Sequence, residues 1–356
     1  MRERGRLLKT LGCELSAFDD IIDCRSPSEY AEDHIPGALA APVLDDAERA
    51  RVGTLYKRSP FEARKLGAAL VARNIAAHLE SKFFGKPKGW KPLVYCWRGG
   101  KRSGAMTHVL REVGWPAQAL PGGYRAYRRW VLDELAALPE ALELRVIHGA
   151  TGSGKSRLLA ALARAGAQVL DLEALAAHRG SVLGTLPGRL QPTQKWFDSL
   201  LRGALAALDP AQPVFVEAES RKIGQLQLPE ALILRMRAAD CVLLEAPLEV
   251  RIALLLEEYQ HLVQDRALLE RQLDCLVALH GRSRIDEWKA LAARGAWREF
   301  VGRLLLEHYD PAYRRSAQRN FARLPQARRV AIDAPDAAAF ARAARRVTEE
   351  APATSA

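Results

Sequence analysis

No stretch of 18 consecutive apolar residues occurs in the 356-residue chain, and the charged start from Met1 to Thr10 has no apolar segment behind it. A membrane span and a secretory leader are therefore not expected, and the cytoplasm is the expected location. The five cysteines, at 13, 24, 96, 241 and 275, include no CxxC pair. That spacing argues against a zinc site or a disulfide framework, so each thiol has to be judged alone. Internal repeats and low-complexity segments are absent too. What is present is 49% hydrophobic residues, enough to bury a core in each of about two domains at roughly 150 residues per domain. Lys and Arg number 53 against 42 Asp and Glu, a formal charge of +11, which favours a polyanionic partner such as RNA. The excess is shared: 23 basic and 17 acidic residues lie up to Glu140, and 30 and 25 after it. Oligomeric state is left open, a monomer being one reading.

Short apolar runs alternate with helical stretches through both halves. In the first, FDDIIDCR at 18–25, PLVYC at 92–96 and QAL at 118–120 read as strands, with a helical insert at about 45–80 and a helix over 103–113. Pro139 punctuates the end of that half. The second restarts with ELRVIHG at 143–149, followed by strand candidates AQVLD, PVFVEAE, CVLLEAP and VAIDA. Strands alternating with helices predict parallel sheets and an α/β class for both domains, divided as 1–140 and 141–356. Residues 248–329 read as almost wholly helical, and the tail after Glu349 as frayed.

The run Leu93–Tyr95 ends at Cys96, and Trp97, Arg98, Gly99, Gly100, Lys101, Arg102, Ser103 and Gly104 follow before a helix begins. A thiol at a strand end faces a Gly-rich loop and a helix N-terminus there. Inward-pointing N–H groups, the helix dipole and Arg98, Lys101 and Arg102 would lower its pKa and hold an oxyanion. The plain alternative is a buried small hydrophobe. Three cations and two glycines within six positions favour the nucleophile.

These segments resemble a rhodanese domain: IIDCRSPSEYAEDHIPGA at 21–38, YCWRGGKRSGAM at 95–106 and ALPGGYRAY at 119–127. The resemblance implies that Cys96 accepts a chalcogen atom as a persulfide or perselenide while the loop holds the leaving oxyanion. Asp23 and Arg25 match the strand-end DxR and are read as structural ties. Cys24 stands where the family usually has an aliphatic residue and is read as core, with a resolving thiol as the alternative.

Gly149-Ala150-Thr151-Gly152-Ser153-Gly154-Lys155-Ser156 is a GxxxxGK[ST] phosphate loop with a strand-like segment before it and a helix-like one after. Its amides cradle phosphates, Lys155 reaches the terminal phosphate, and Ser156 can ligate Mg²⁺. The strand end VFVEAE offers Glu217 and Glu219 on the metal side, with Glu where Asp is commoner, and Arg221 beside them. A diphosphate ester other than a nucleotide satisfies the same loop. From Pro311 to Arg329 there are six Arg and no acid, among them Arg314, Arg315, Arg319 and Arg323. The spacing of Arg315, Arg319 and Arg323 predicts one helical face and a polyanion-binding stripe, a solvated face being the alternative. Trp97, Trp115, Trp130, Tyr124 and Tyr127 are candidates to stack a base and are read mostly as core.

A rhodanese-like domain, a parallel sheet with flanking helices, thus precedes a P-loop NTPase-like α/β domain with a helical, RNA-facing C-terminal region at about 248–329. With DLEALAAHRGSVLG at 171–184, FVEAESRKIG at 215–224 and HYDPAYRRS at 308–316, this order resembles the tRNA 2-selenouridine synthase family across nearly the whole chain. The resemblance implies a transferase that replaces the sulfur of 2-thiouridine at the tRNA wobble position with selenium. Its co-substrates would be selenophosphate and geranyl diphosphate, with an S-geranylated intermediate, and selenophosphate synthetase is a further candidate partner. Whether the phosphate loop takes geranyl diphosphate or a nucleotide stays open. The rivals are a rhodanese fused to a small-molecule kinase and a tRNA-binding chalcogen carrier.

Overall fold

In the computed structural model of the chain, residues 14–181, 184 and 188–349 are described, which leaves the expected frayed tail and Cys13 outside them. The chain divides into two units, Met1–Leu135 with Thr193–Arg202, and Ala136–Pro192 with Gly203–Ala356.

The first unit holds four parallel strands, β1 (Asp20–Asp23), β2 (Leu39–Ala40), β3 (Pro92–Tyr95) and β4 (Gln118–Ala119), in the order β2-β1-β3-β4. Every residue of β3 is buried, so the central strand reads as an unbroken apolar run. The expected insert is two helices, Asp46–Arg58 and Pro60–His78. Asp45 opens the first as a capping box: its carboxylate accepts from Glu48 N at 2.7 Å, and the Glu48 carboxylate accepts from Asp45 N at 3.1 Å. Helix Lys101–Glu112 turns Ser103, Met106, Thr107 and Leu110 inward, the i, i+3, i+4, i+7 pattern of one buried face.

The second unit holds five parallel strands in the order β11-β10-β5-β7-β6, where β5 is Leu144–Gly149, β6 Gln168–Leu170, β7 Val214–Glu217, β10 Asp240–Glu245 and β11 Arg328–Ala331. Not expected from the sequence were β2 and a small antiparallel hairpin, β8 (Lys222–Ile223) with β9 (Leu226–Gln227), none of which has an apolar run long enough to show a period. From Leu248 the chain is helical up to Asn320, with its own core of Leu262, Leu269, Leu273, Ile285, Trp288 and Leu304.

The expected boundary at 140 is displaced by a few residues, and Thr193–Arg202, expected in the second domain, groups with the first unit. Polar and aromatic contacts do this: Ser199 Oγ donates to Asp33 Oδ1 at 2.9 Å, and Asp198 pairs with Arg128. Trp196 stacks on His34 at 4.2 Å, and the Arg202 guanidinium lies 3.9 Å from the Trp130 ring centroid. No helix among the described residues is long and apolar enough to cross a membrane.

Candidate functional site

At the carboxyl end of β3, Cys96 is 4% exposed and faces the loop 97–100 and the start of helix Lys101–Glu112. Burial raises its thiol pKa, but the Ser103 hydroxyl, donating to Sγ at 3.2 Å, and the backbone N–H groups of Ser103, Gly100 and Arg98 outweigh burial and hold the thiol below its ordinary value. Amides and a hydroxyl lower this thiol, where the side chains of Arg98, Lys101 and Arg102 were expected to contribute. Arg102 is engaged with Glu29 at 2.8 Å, and Arg98 and Lys101 are exposed. The loop closes through Gly123, at φ 57°, where a Cβ would stand 2.2 Å from Cys96 O and 2.4 Å from Gly99 N. Tyr124 N donates to Cys96 O at 2.9 Å and anchors the same turn.

Asp23 and Arg25 form a buried fork, Nη2 to Oδ2 at 2.7 Å, and Arg25 also donates to Asp33 O at 2.5 Å. They brace the strand end. Trp115, Trp130, Tyr124 and Tyr127 are buried and belong to the interior. Trp97 is half-buried and stacks on Tyr124 at 5.3 Å.

In the second unit the phosphate loop follows β5, the middle strand, at the carboxyl end of the sheet, where open α/β sheets place their ligands. Gly154 has φ 83°, and a Cβ there would meet Phe340 Cζ at 2.4 Å, so the turn into helix Lys155–Arg164 requires glycine. The loop lines a cleft of about 760 Å³ together with Lys155, Ser156, Glu173, Arg179, Glu219 and Tyr259. Lys155 Nζ donates to Gly149 O at 3.3 Å, folded onto its own loop. Ser156 Oγ donates to Glu173 Oε2 at 2.8 Å. Burial raises the Glu173 carboxyl and Lys155 opposes that, while Glu219 is pushed up to about 7, first by burial and then by Glu173.

Of the two strand-end acids, Glu219 lines the cleft and Glu217 does not. Glu217 is buried, and its Oε1 accepts the Glu173 N–H at 2.8 Å. Burial, then Asp171, pushes its carboxyl well above the ordinary range, and it supports the Glu173 backbone. Arg221 lines the cleft with a largely exposed side chain, 4.0 Å from Glu230. Glu173 and Arg179 were missed as site residues, although both lie in the segment 171–184 that carried the resemblance. An acid on a short helix has no local pattern to announce it, and the pairing with Ser156 spans 17 residues.

The segment 308–316 acquires a physical role as well. Asp310 takes both Arg251 Nη groups, at 2.6 and 3.0 Å, and Arg251 Nε donates to Thr151 O at 2.9 Å, which fixes the phosphate loop from behind. His148, one residue before the loop, is 1% exposed with no hydrogen-bond partner on either ring nitrogen, and burial followed by Lys155 lowers it to about 4.

The arginine stripe is only partly assembled. The helix ends at Asn320, so Arg323 leaves the expected face and pairs with Asp240 at 2.7 Å, while Arg329, on β11, pairs with Glu245 at 2.7 Å. The missing compensating acids come from β10, distant in sequence. Arg314 and Arg315 are exposed on the helix, and nothing is described of the Arg319 side chain.

Residues 6–129 match the rhodanese-like domain, and residues 142–274 match the tRNA 2-selenouridine synthase AAA domain. The chain is similar to the tRNA 2-selenouridine synthase of Alcanivorax borkumensis, 32% identical over 82% of this chain and 88% of that protein. The synthase of Sulfurovum sp. is 31% identical over 85% of this chain and 90% of its own. With that of Nitrosomonas europaea identity is 36%, over 67% of this chain and 63% of the relative's length. Two domain matches in the right order, and relatives above 30% identity covered over most of their length, establish that the chain belongs to the tRNA 2-selenouridine synthase family.

Proposed function

We propose that the protein converts 2-thiouridine at the tRNA wobble position to 2-selenouridine through S-geranyl-2-thiouridine, with geranyl diphosphate and selenophosphate as co-substrates. The observation that supports this reading is a pair of anion cradles of unlike chemistry on one chain. One surrounds a thiol held toward thiolate, and the other is a phosphate loop facing carboxylates.

A thiocarbonyl sulfur is a poor leaving group, and alkylation lets it depart as a neutral thiol. In the first half-reaction the loop amides and Lys155 hold the diphosphate while the thiouridine sulfur attacks the adjoining geranyl carbon. The S–C bond forms, the C–O bond breaks, and diphosphate leaves with the electron pair, its charge met by the loop. Ser156, Glu173 and Glu219 are oxygen donors, which suit Mg²⁺. Among the described residues no three acidic, His or Cys side chains form a metal site by themselves; a bound Mg²⁺ would supply charge that neutralises the diphosphate. In the second half-reaction nucleophilic selenium adds at C2 and the geranyl thiol departs with a proton. Cys96 carries or positions that selenium, and its loop holds the phosphate of selenophosphate, delivered free or from selenophosphate synthetase. Arg314 and Arg315 are the exposed cations offered to the tRNA backbone.

The test is mass spectrometry of nucleosides from 2-thiouridine-containing tRNA incubated with the protein, Mg²⁺, geranyl diphosphate and selenophosphate. S-geranyl-2-thiouridine should appear first and 2-selenouridine after it. Unchanged 2-thiouridine on bound tRNA would replace this reading with a carrier module, and rapid ATP turnover without tRNA would replace it with a fused kinase.

A further inference from the structure

A second thiol stands beside Cys96. β1 and β3 are parallel neighbours, with Asp20 opposite Pro92 and Asp23 opposite Tyr95. The Cys24 N–H donates to Tyr95 O at 2.8 Å and carries the pairing one residue further, which brings Cys24 opposite Cys96. Ile22, Cys24, Val94 and Cys96 enter one core cluster, whereas Arg25 lies over the Tyr95 ring on the other face, 5.5 Å from its centroid. The two-residue alternation of strands thus puts both thiols on the same face. Adjacent strands run ~4.8 Å apart, inside the ~4.4–6.8 Å of Cα separation that a disulfide spans. Cys24 is wholly buried, so it reaches Cys96 from the core while donors approach from the loop.

We propose that Cys24 is a resolving thiol: once Cys96 carries a terminal sulfur or selenium atom, Cys24 attacks Cys96 Sγ and expels that atom as hydrosulfide or hydroselenide. This rests on the reading that Cys96 takes up the chalcogen covalently, from a donor whose other fragment leaves with the electron pair, as sulfite from thiosulfate or phosphite from selenophosphate. The Cys24–Cys96 disulfide bond forms, the bond from Cys96 Sγ to the terminal atom breaks, and its electron pair leaves with that atom, which also takes the Cys24 proton. The two thiols are oxidised and the chalcogen is reduced by two electrons, to the nucleophilic form that addition at an electrophilic carbon needs. A dithiol reductant restores both thiols. The order of attack follows from the surroundings: burial first, then Asp23, pushes the Cys24 thiol well up, while amides hold Cys96 down, so Cys96 meets the donor and Cys24 acts second.

Thiosulfate serves as the probe, since attack on its outer sulfur releases sulfite and leaves a persulfide. Reduced full-length protein, wild type and Cys24→Val, is loaded with thiosulfate, freed of small molecules, trapped with iodoacetamide and digested without reductant for mass spectrometry. Expected in the wild type are a disulfide-linked Cys24–Cys96 peptide and equimolar sulfide. Expected in Cys24→Val is a Cys96 persulfide that outlives the wild-type one by at least about tenfold. Sulfite release with equal persulfide lifetimes and no linked peptide would overturn the resolving role and leave covalent uptake standing. No sulfite and no persulfide in either protein would overturn both. Should Cys24→Val not fold, Cys24→Ala and the wild-type linked peptide decide the same question.

Discussion

At the thiol loop the neighbouring carboxylate, Glu29, is already neutralised by Arg102 at 2.8 Å and by Arg49 at 3.3 Å. At the phosphate loop Glu173 and Glu219 face the cleft with Lys155 folded back onto Gly149. Both sites join a central parallel strand to a helix N-terminus through glycines, an arrangement that gathers amides where an anion can sit. The first surrounds a thiol that amides and a hydroxyl hold below its ordinary pKa, beside an acid that is already paired. The second sets Lys155 and two carboxyls raised by burial beside its loop.

The sharpest way to break this comparison is Lys155→Ala. It should lower S-geranylation by about a hundredfold or more while thiosulfate uptake at Cys96 is unchanged, measured on the same preparation. Equal loss of both would mean that the loops are not separate in function. Next in size is Gly123→Ala, whose Cβ collides with the Cys96 carbonyl; it should cost on the order of 2–3 kcal/mol in denaturant unfolding of the first unit and abolish selective alkylation of Cys96. Glu219 gives a pH test. Its folded pKa of about 7 lies above the ordinary 4.5, so the folded state holds the proton more tightly and this group makes stability fall as pH rises from about 4.5 to 7. Glu219→Gln should remove a decline on the order of 2–3 kcal/mol across that window, followed by thermal unfolding against pH. Ser103→Ala removes a hydrogen bond to the thiolate, and iodoacetamide should then modify Cys96 about tenfold more slowly at neutral pH. The smallest effect belongs to Arg315→Ala, which should flatten the slope of log tRNA affinity against log salt by about 0.7–0.9.

Apart from β2 and the β8–β9 hairpin, the strands, the helical insert and the phosphate loop were legible because each rests on a local pattern: apolar runs, helical stretches between them, and glycines at fixed spacing. Cys96 was legible for the same reason. The arginine stripe misled because helical spacing says nothing of where a helix stops, and Arg323 falls beyond Asn320. The segment 193–202 was placed in the second domain because sequence order is the only guide to membership before contacts are known.

The sequence by itself determined which residues can do chemistry, since a thiol before a Gly-rich turn or GxxxxGKS between strand and helix constrains the backbone within a few residues. Only the tertiary structure decided what surrounds them. It showed Glu173 receiving Ser156, Glu217 withdrawn behind it, Arg251 and Asp310 bracing the loop, and Cys24 beside Cys96. Those relations join positions up to 100 residues apart. Burial and long-range pairing set them, and these depend on how strands order in a sheet, which no local pattern encodes.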